Sequence, residues 1–454
     1  MKILVINGSP AGKNSITLQT VLYIEQFFPR HSFEILHAAA MIRAYEKDFS
    51  KAAKAMEEAD LILFCYPVYT FLAPAQLHRF IELMQESGVD LSGKYASQIT
   101  TSKHFYDITA HRFIEDRCGD LSLKYIRGLS ADMEDLLSEK GQEDALSWFR
   151  FLLFRMKEGL PEPSYSVPVR RQSVRASAAA DTKKTKPWKA AIVCDLSDDA
   201  DGALAAMIER FRNVLPLTSV VLRLDEFPFA GGCLGCFHCA ADGTCVYKDG
   251  FDAWLRSSVQ SCDAIVYAFS IRDHSMGTRF KLYDDRQFCN GHRTVTMGKP
   301  NAYLIHGDLS AEENLRTLIR ARAEVGGNFL AGVADDTEDT DRKIDQAASL
   351  LAYALDHKTT MPADFYGVGG MKIFRDLIWQ MQGLMKEDHR FYKEHGFYND
   401  FPQKHRMKTA AMYLVGAMMT NEKLSKKLGG KMMEGMIMPY RKVIENAGKK
   451  RRKK

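Results

Sequence analysis

The chain carries an internal repeat, and this repeat constrains the fold more than any other feature of the sequence. The segment ADLILFCYPVY (residues 59–69) aligns with CDAIVYAFSIR (residues 262–272). Gly93-Lys94 aligns with Gly298-Lys299, and two acidic motifs, which begin at Gly128 and Gly332, align in the same order. The aligned pairs are 203 to 205 residues apart. An unchanged order at nearly constant spacing predicts two tandem copies of one domain.

Segments without the repeat pattern lie between the copies and after them. Residues 160–189 are rich in Pro, Ser, Ala and Lys, a composition that predicts an extended linker. Beyond about Met361, apolar residues recur at helical spacing from Ile373 to Met385. Core packing is the preferred interpretation of these residues, and a lid or partner groove is the alternative. The predicted domains are 1–160, a linker at 161–187, 188–358, and a helical region at 359–454 that ends in a basic tail.

Composition limits the class of protein. The chain has 454 residues, of which 46% are apolar and 26% charged, as in ordinary globular proteins with several domains. No apolar run approaches the ~18 residues that span a membrane, and the N-terminal MKILVINGSP lacks the apolar core of a secretory signal. The net charge is +5, and without the six basic residues at the C-terminus it is −1. We therefore expect a cytoplasmic protein with no membrane span and no specific nucleic-acid partner.

Short apolar runs alternate with longer amphipathic segments in each copy. In the first copy the runs Ile3–Ile6, Phe33–Leu36, Leu61–Cys65 and Ala96–Thr100 are typical of strands. They are continuously apolar rather than alternating, which indicates burial on both faces. The sequence therefore predicts an α/β fold with parallel sheets covered by helices. Such sheets bind ligands at the carboxyl ends of their strands.

The loop after the first strand is suited to a phosphate group. Residues 7–17 read NGSPAGKNSIT and then enter a helix, so hydroxyls, a lysine and free backbone N–H groups gather at a helix N-terminus. The spacing from Gly8 to Gly12-Lys13 is one residue too short for a Walker A loop, and no GxGxxG motif is present. An ordinary glycine-rich turn is the alternative interpretation.

Two further loops extend this candidate site. Residues 66–71, YPVYTF, follow the third strand and offer a stiff aromatic surface of the kind that a flat ring system needs. Residues 101–106, TSKHFY, follow the fourth strand. We expect them to complete the pocket.

The combination GSPxGxNS…PVY resembles the flavodoxin-like NADPH-dependent FMN reductases, especially their iron-sulfur flavoprotein branch. The resemblance covers both copies and is weak or absent in the C-terminal region. It implies two flavodoxin-like doubly wound domains, with FMN in the first and NAD(P)H as a possible co-substrate. The residues that it implies for the FMN phosphate are Ser9, Lys13, Asn14, Ser15 and Thr17. Those implied for the ring are Pro67, Val68, Tyr69, Thr70 and Phe71, with Thr101 and Ser102 added from the third loop.

The second copy lacks these loops. The counterpart of the phosphate loop, residues 195–202, holds four aspartates that would repel a phosphate. Ser270–His274 replaces the aromatic ring loop with charged side chains. We therefore predict that this copy binds no FMN.

The second copy has instead a cysteine cluster. Four of the nine cysteines form the motif Cys233-x2-Cys236-x2-Cys239-x5-Cys245. Closely spaced thiolates can hold a [4Fe–4S] cluster, and this motif resembles the compact one of the iron-sulfur flavoproteins. Zinc, or thiols without any metal, are the alternatives that remain open.

One copy thus keeps the flavin loops and the other the cysteines. In the resembled family, flavin and cluster work together across a subunit interface, so the chain is interpreted as a fused pseudo-dimer. We expect an FMN-dependent oxidoreductase that exchanges electrons with NAD(P)H or a ferredoxin-type donor and with a small-molecule or protein acceptor. It could form homo-oligomers, and the sequence singles out no catalytic residue. The alternatives are a non-catalytic electron carrier or redox sensor, and a metal-free quinone or nitro reductase.

Overall fold

The computed structural model describes residues 1–163, 170–404 and 406–419. The chain divides into a large compact unit, residues 1–391, and a small one, residues 392–454. The predicted basic tail, Lys449–Lys454, lies outside the described residues. None of the described helices is long and apolar enough to cross a membrane.

The first half of the large unit is a parallel α/β domain. Its strands are β1 (Lys2–Asn7), β2 (Ser32–Leu36), β3 (Leu61–Pro67), β4 (Tyr95–Ser102), β5 (Lys124–Tyr125) and β6 (Leu129–Asp132). Its helices are α1 (Ile16–Phe27), α2 (Ile42–Tyr45), α3 (Ser50–Glu58), α4 (Ala75–Glu86), α5 (Asp107–Asp120) and α6 (Glu139–Lys157). The strand order is β2-β1-β3-β4-β5, with β6 also paired to β4. All pairs are parallel, and β1 and β3 are buried over nearly their whole length, as the continuous apolar runs predict.

The second half is a parallel α/β domain of the same design. Its strands are β7 (Lys189–Cys194), β8 (Thr218–Arg223), β9 (Ala264–Ser270), β10 (Pro300–His306) and β11 (Phe329–Asp335). Its helices are α7 (Ala203–Val214), α8 (Cys239–Asp242), α9 (Phe251–Trp254), α10 (Gly277–Arg286), α11 (Glu313–Val325) and α12 (Thr340–His357). The strand order is β8-β7-β9-β10-β11.

Counted within each sheet, both orders are 2-1-3-4-5, which is the flavodoxin-like arrangement. The predicted fold class, two flavodoxin-like parallel-sheet domains with a helical C-terminal region, is confirmed. The aligned segments of the repeat form the equivalent strands β3 and β9.

The two domains pack through the equivalent helices α4 and α10. The backbone N–H of Ala75 donates to the Asp285 carboxylate at 2.9 Å, and Lys281 donates to the carbonyl oxygen of Tyr69 at 2.9 Å. Lys281 and Asp285 are fully buried and form an ion pair. Buried charges are stable only when paired, so these two side chains remain together, and their hydrogen bonds to Ala75 and Tyr69 fix α10 against the first domain.

The linker follows an ordered path in its described part. Residues 170–187 form no helix or strand, as the sequence predicts. They are nonetheless hydrogen-bonded to the second domain: the N–H groups of Arg171, Val174 and Ser177 donate to Asp308, Asp336 and Asp341 at 2.8, 2.5 and 2.9 Å. Backbone N–H groups of the linker thus donate to acceptors of the second domain and not to solvent alone.

The C-terminal region is helical. It comprises α13 (Phe365–Gln380), α14 (Lys386–Glu394) and α15 (Arg406–Met419). The aromatic rings of Tyr398 and Phe401 stack in the small unit, with ring centroids 5.7 Å apart.

Candidate functional site

The phosphate loop is an ordered turn at the end of β1. The Asn7 side chain donates to the Gly12 carbonyl at 2.8 Å and accepts the N–H of Ser9 at 3.1 Å. Ser15 caps α1 by accepting the N–H of Leu18 at 3.3 Å. The first N–H groups of an α-helix have no intrahelical acceptor. This turn therefore presents polar groups and free donors in the manner of an anion site.

The ring loop after β3 is a tight turn. Tyr69 and Leu72 exchange backbone hydrogen bonds of 2.8 and 3.0 Å, and the two residues between them, Thr70 and Phe71, have φ angles of 43° and 71°. Such angles are uncommon for residues other than glycine, and backbone strain of this kind is concentrated at functional sites. The Thr70 hydroxyl is buried and has no partner among the described residues. A bound ligand with a polar edge would satisfy it.

The cysteine loop of the second domain reaches the ring loop of the first. The Tyr69 hydroxyl lies against the backbone of Gly235, where any Cβ would collide with it. The Tyr69 ring also packs edge-on against Phe288, with centroids 5.8 Å apart. Within the cysteine loop, the N–H of Gly235 points at the sulfur of Cys233 at 3.5 Å, and Cys239 donates to the Phe288 carbonyl at 3.0 Å.

Burial controls the protonation of this region. It raises the pKa of Cys233 to about 12 and that of Cys239 to about 11, and it raises the pKa of Tyr69 well above its ordinary value. These groups are therefore neutral near pH 7 when nothing positive is bound. A cation at the thiols would displace their protons, since metals bind cysteine as the thiolate.

The three loops that follow β1, β3 and β4 of the first domain and all four clustered cysteines line one cavity of about 520 Å³. Of the residues that the sequence analysis assigns individually to FMN or to the cluster, Lys13 alone does not line it. The others that do are Ser9, Asn14, Ser15, Thr17, Pro67, Val68, Tyr69, Thr70, Phe71, Thr101, Ser102, Cys233, Cys236, Cys239 and Cys245. Ser9, Ser15 and Thr17 are buried, and Thr17 and Thr101 share a hydrogen bond of 2.6 Å that joins the first loop to the third.

The four thiols fit a metal group by their chemistry. All four line the cavity, and Cys236 is the only exposed one of the four. Within the described residues, no three His, Cys, Asp or Glu side chains are placed closely enough to hold a metal ion. A [4Fe–4S] cluster takes one thiolate at each of its four irons. The donor set therefore matches a cluster in kind and number.

Sequence reasoning missed part of the cavity wall. Phe288 and His292 follow α10, and Phe374, Leu377 and Met381 come from α13 and its end. The helical spacing of the α13 residues is visible in the sequence. The part of the first domain that they contact cannot be recognised from the sequence, because it lies more than 200 residues away in the chain.

The equivalent cleft of the second domain is filled by the protein itself. The Asp199 carboxylate accepts the N–H groups of Leu204 and Ala205, each at 2.9 Å, at the start of α7. Arg175 of the linker donates to the Asp201 carbonyl oxygen beside it. An internal carboxylate thus occupies the donors that a phosphate would use. This adds a physical reason, beyond repulsion, for the prediction that no FMN binds there.

Comparisons with known proteins bear on the first domain most directly. Residues 1–110 match the model of the NADPH-dependent FMN reductase family. The match confirms the predicted similarity to NAD(P)H-dependent FMN reductase enzymes.

A relative and two solved structures are also similar. An iron-sulfur flavoprotein from Archaeoglobus fulgidus is 28% identical over 174 residues, which cover 36% of this chain and 79% of the relative. An NADPH-quinone reductase from P. pentosaceus is 16% identical, with a TM-score of 0.28, over 34% of this chain and 97% of that one. An FMN-dependent NADH-azoreductase from Bacillus anthracis, in complex with FMN, is 11% identical, with a TM-score of 0.27, over 33% of this chain and 98% of that one.

Proposed function

We propose that the protein is an FMN-dependent oxidoreductase in which a flavin held by the first domain works beside a [4Fe–4S] cluster held by the second. The observation that carries this proposal is the single cavity, since the two sets of residues belong to different domains and face the same space. The match of residues 1–110 to the FMN reductase family and the similarity to an iron-sulfur flavoprotein support it.

The first domain would hold FMN through its loops. Ser9, Ser15 and Thr17 would bind the phosphate together with the free N–H groups at the start of α1. The turn at Thr70 and Phe71 would support the ring and offer the unpaired Thr70 hydroxyl to its polar edge. Lys13 lies outside the cavity, so any contribution from it would be long-range electrostatic attraction.

The second domain would hold the cluster through Cys233, Cys236, Cys239 and Cys245. When both groups are bound, FMN supplies two-electron chemistry and the cluster supplies one-electron transfer. Tyr69 fills the space between the ring loop and Gly235, so it would exclude water from the path between the groups. The electron donor would be NAD(P)H, as the match to the NADPH-dependent FMN reductase family favours, or a reduced redox protein.

We infer further that the two domains arose by tandem duplication. The common strand order, the equivalent packing helices α4 and α10, and the nearly constant offset of the aligned segments support this origin. The chain would then be a fused pseudo-dimer in which each half retains one of the two cofactor sites.

The experiment is a cofactor count on protein purified without oxygen. We expect one FMN and four irons per chain. Cys236→Ala should lose iron and sulfide while it keeps FMN. Cys262→Ala is the matched control, because Cys262 is buried outside the cavity and should leave both counts unchanged. Zinc in place of iron, or full turnover with no metal, would contradict the cluster and favour a metal-free reductase. Absence of FMN would contradict the whole proposal.

A further inference from the structure

The cysteine loop, which spans residues 233–245, is closed at its base by Arg286 of α10. The Arg286 guanidinium donates to the Gly231 carbonyl before the loop at 2.8 Å, and to both carboxylate oxygens of Asp249 after it, each at 2.8 Å. Asp249 also accepts the N–H of Ala230 at 2.9 Å. These bonds join the two ends of the loop, so Arg286 fixes the frame that carries the four cysteines.

Arg286 is buried although it carries a charge. Its side chain is 1% exposed, and its guanidinium lies over the rings of Tyr247 and Phe251, with 4.6 and 4.9 Å between Cζ and the ring centroids. The pairing with Asp249 and the two rings compensate for the lost hydration. Burial opposes the charge of Arg286, but the Asp249 carboxylate and a thiolate at Cys245 raise its pKa. Cys245 therefore lies within electrostatic reach of the guanidinium.

One donor of Arg286 is left over. The terminal nitrogens Nη1 and Nη2 make all the bonds described above, whereas Nε is buried and has no hydrogen-bond partner among the described residues. Arg286 lines the same cavity as the four cysteines. Unpaired donors on buried side chains are rare in folded proteins, so this one indicates an acceptor that arrives with a bound group. The sulfur atoms of a cluster held by the cysteines are acceptors of this kind.

The other arginines near the loop are not available in this way. Arg256 donates to the Gly243 carbonyl, and Arg293 donates to the carbonyls of Cys289 and Asn290 at 3.5 and 2.7 Å. Among the arginines that the described part of the chain contributes to the cavity wall, Arg286 alone has a buried nitrogen without a partner. The free donor beside the cysteines is thus specific to Arg286.

We propose that the Nε–H group of Arg286 donates to a sulfur of the bound cluster and raises the reduction potential of that cluster. The inference rests on the proposed function and adds to it the residue that sets how readily the second cofactor takes an electron from the reduced flavin. A cluster with four thiolates is an anion, and its reduction adds a further negative charge. A positively charged donor therefore stabilises the reduced state more than the oxidised one. Asp249 offsets part of the charge of Arg286, but it leaves the N–H contact in place.

The test is a redox titration of the holoprotein without oxygen, followed by the EPR signal of the reduced cluster. Arg286→Lys is the variant, because lysine keeps a positive charge beside Asp249 but has no donor at the position of Nε. We expect the equilibrium constant for one-electron reduction to fall at least about tenfold, which lowers the potential by about 59 mV. The iron and FMN contents should match those of the wild type.

Arg210→Lys is the matched control. Arg210 also forms a two-bond pair with a carboxylate of the second domain, Asp345, and its side chain is 12% exposed, but it does not line the cavity. The potential of this variant should equal that of the wild type. An unchanged potential in Arg286→Lys, or an equal shift in both variants, would overturn the inference.

A second measurement covers the case in which Arg286→Lys holds no cluster. Pulsed EPR of the reduced wild-type cluster, in protein made with ¹⁵N-labelled arginine, should show coupling to an arginine nitrogen. Absence of that coupling would overturn the inference, because no arginine would then be bonded to the cluster. Wild-type protein without iron, or with zinc in its place, would contradict the proposed function instead, so the two failures are distinguishable.

Discussion

Gly235 is a point of close contact between the two candidate cofactor loops. It has a φ angle of 62°, a region that favours glycine, and its Cα faces the Tyr69 hydroxyl with no room for a side chain. Both the backbone angle and the steric contact therefore require glycine at this position.

We expect Gly235→Ala to push the cysteine loop away from Tyr69. The strain alone is of the order of 1 kcal/mol, and the displacement would disturb the spacing of Cys233 and Cys236. Iron content should fall while FMN content stays near the wild-type level. Gly250→Ala is a suitable control, since Gly250 has a similar φ angle of 77° but open space around it. Equal iron content in both variants would show that the contact has no effect on the cluster.

His274 links the two domains through ionisable groups. Its ring lies 2.8 Å from Glu312 of the second domain and 3.2 Å from Asp120 of the first. Burial opposes its charge, but these two carboxylates outweigh burial and raise the pKa of His274 to about 10. Arg117 and Arg170 also pair with this carboxylate cluster. The charged imidazolium thus stabilises the folded state.

The stabilisation by His274 should depend on pH. Its pKa is about 6.5 in the unfolded chain and about 10 in the folded one, so the contribution is complete below pH ~6.5 and is lost as pH rises towards 10. We expect the difference in unfolding free energy between wild type and His274→Gln to shrink over this interval in denaturant titrations. A difference that does not change with pH would contradict the assignment.

At the scale of elements, the hairpin formed by α13 and α14, which we call the C-terminal hairpin, is tied to the second domain by the buried Asp388 carboxylate. We expect Asp388→Ala to release it, because the substitution leaves His292 and Arg293 without their buried partner, and breaking a buried pair costs about 3–5 kcal/mol. Limited proteolysis should then cut the connection at residues 359–364 much faster than in the wild type. Asp376→Ala is the control on α13, since the Asp376 side chain is 62% exposed. Unchanged cleavage of Asp388→Ala would show that apolar packing alone retains the hairpin.

The elements that the sequence predicts well are those with a local signal. The strands around Ile3, Leu61 and Ala96 are correct within two residues, because burial on both faces leaves a continuous apolar run. The same signal predicts where the loops of the candidate site begin, since these loops must follow those strands. Phe374 shows the limit: its spacing predicts a helix, but its contact with Phe105 depends on tertiary packing. Lys13 shows a second limit, because residue type alone does not reveal which way a side chain points.

On the scale of the whole molecule, the described part of the linker runs along the second domain, where Arg175 contacts the counterpart of the phosphate loop. The N–H groups of Arg171, Val174, Ser177, Thr182 and Thr185 all donate to the second domain or its side chains. We expect these amides to exchange with deuterium slowly, although the composition resembles that of a free chain. Hydrogen-exchange mass spectrometry of residues 170–187 measures this. Exchange at the rate of an unstructured peptide would contradict the described path.

The common strand order of the two sheets bears on how the two halves can change during evolution. In a homodimer every substitution occurs at both symmetry-related positions, so a residue that helps one half must also be tolerated in the other. Here both sheets belong to a single polypeptide, and each position mutates alone. Under the tandem duplication proposed above, Asp199 would have come to close one cleft while Ser15 kept the other open. Covalent joining of the two copies would then have removed the symmetry that holds the halves of a homodimer to the same design.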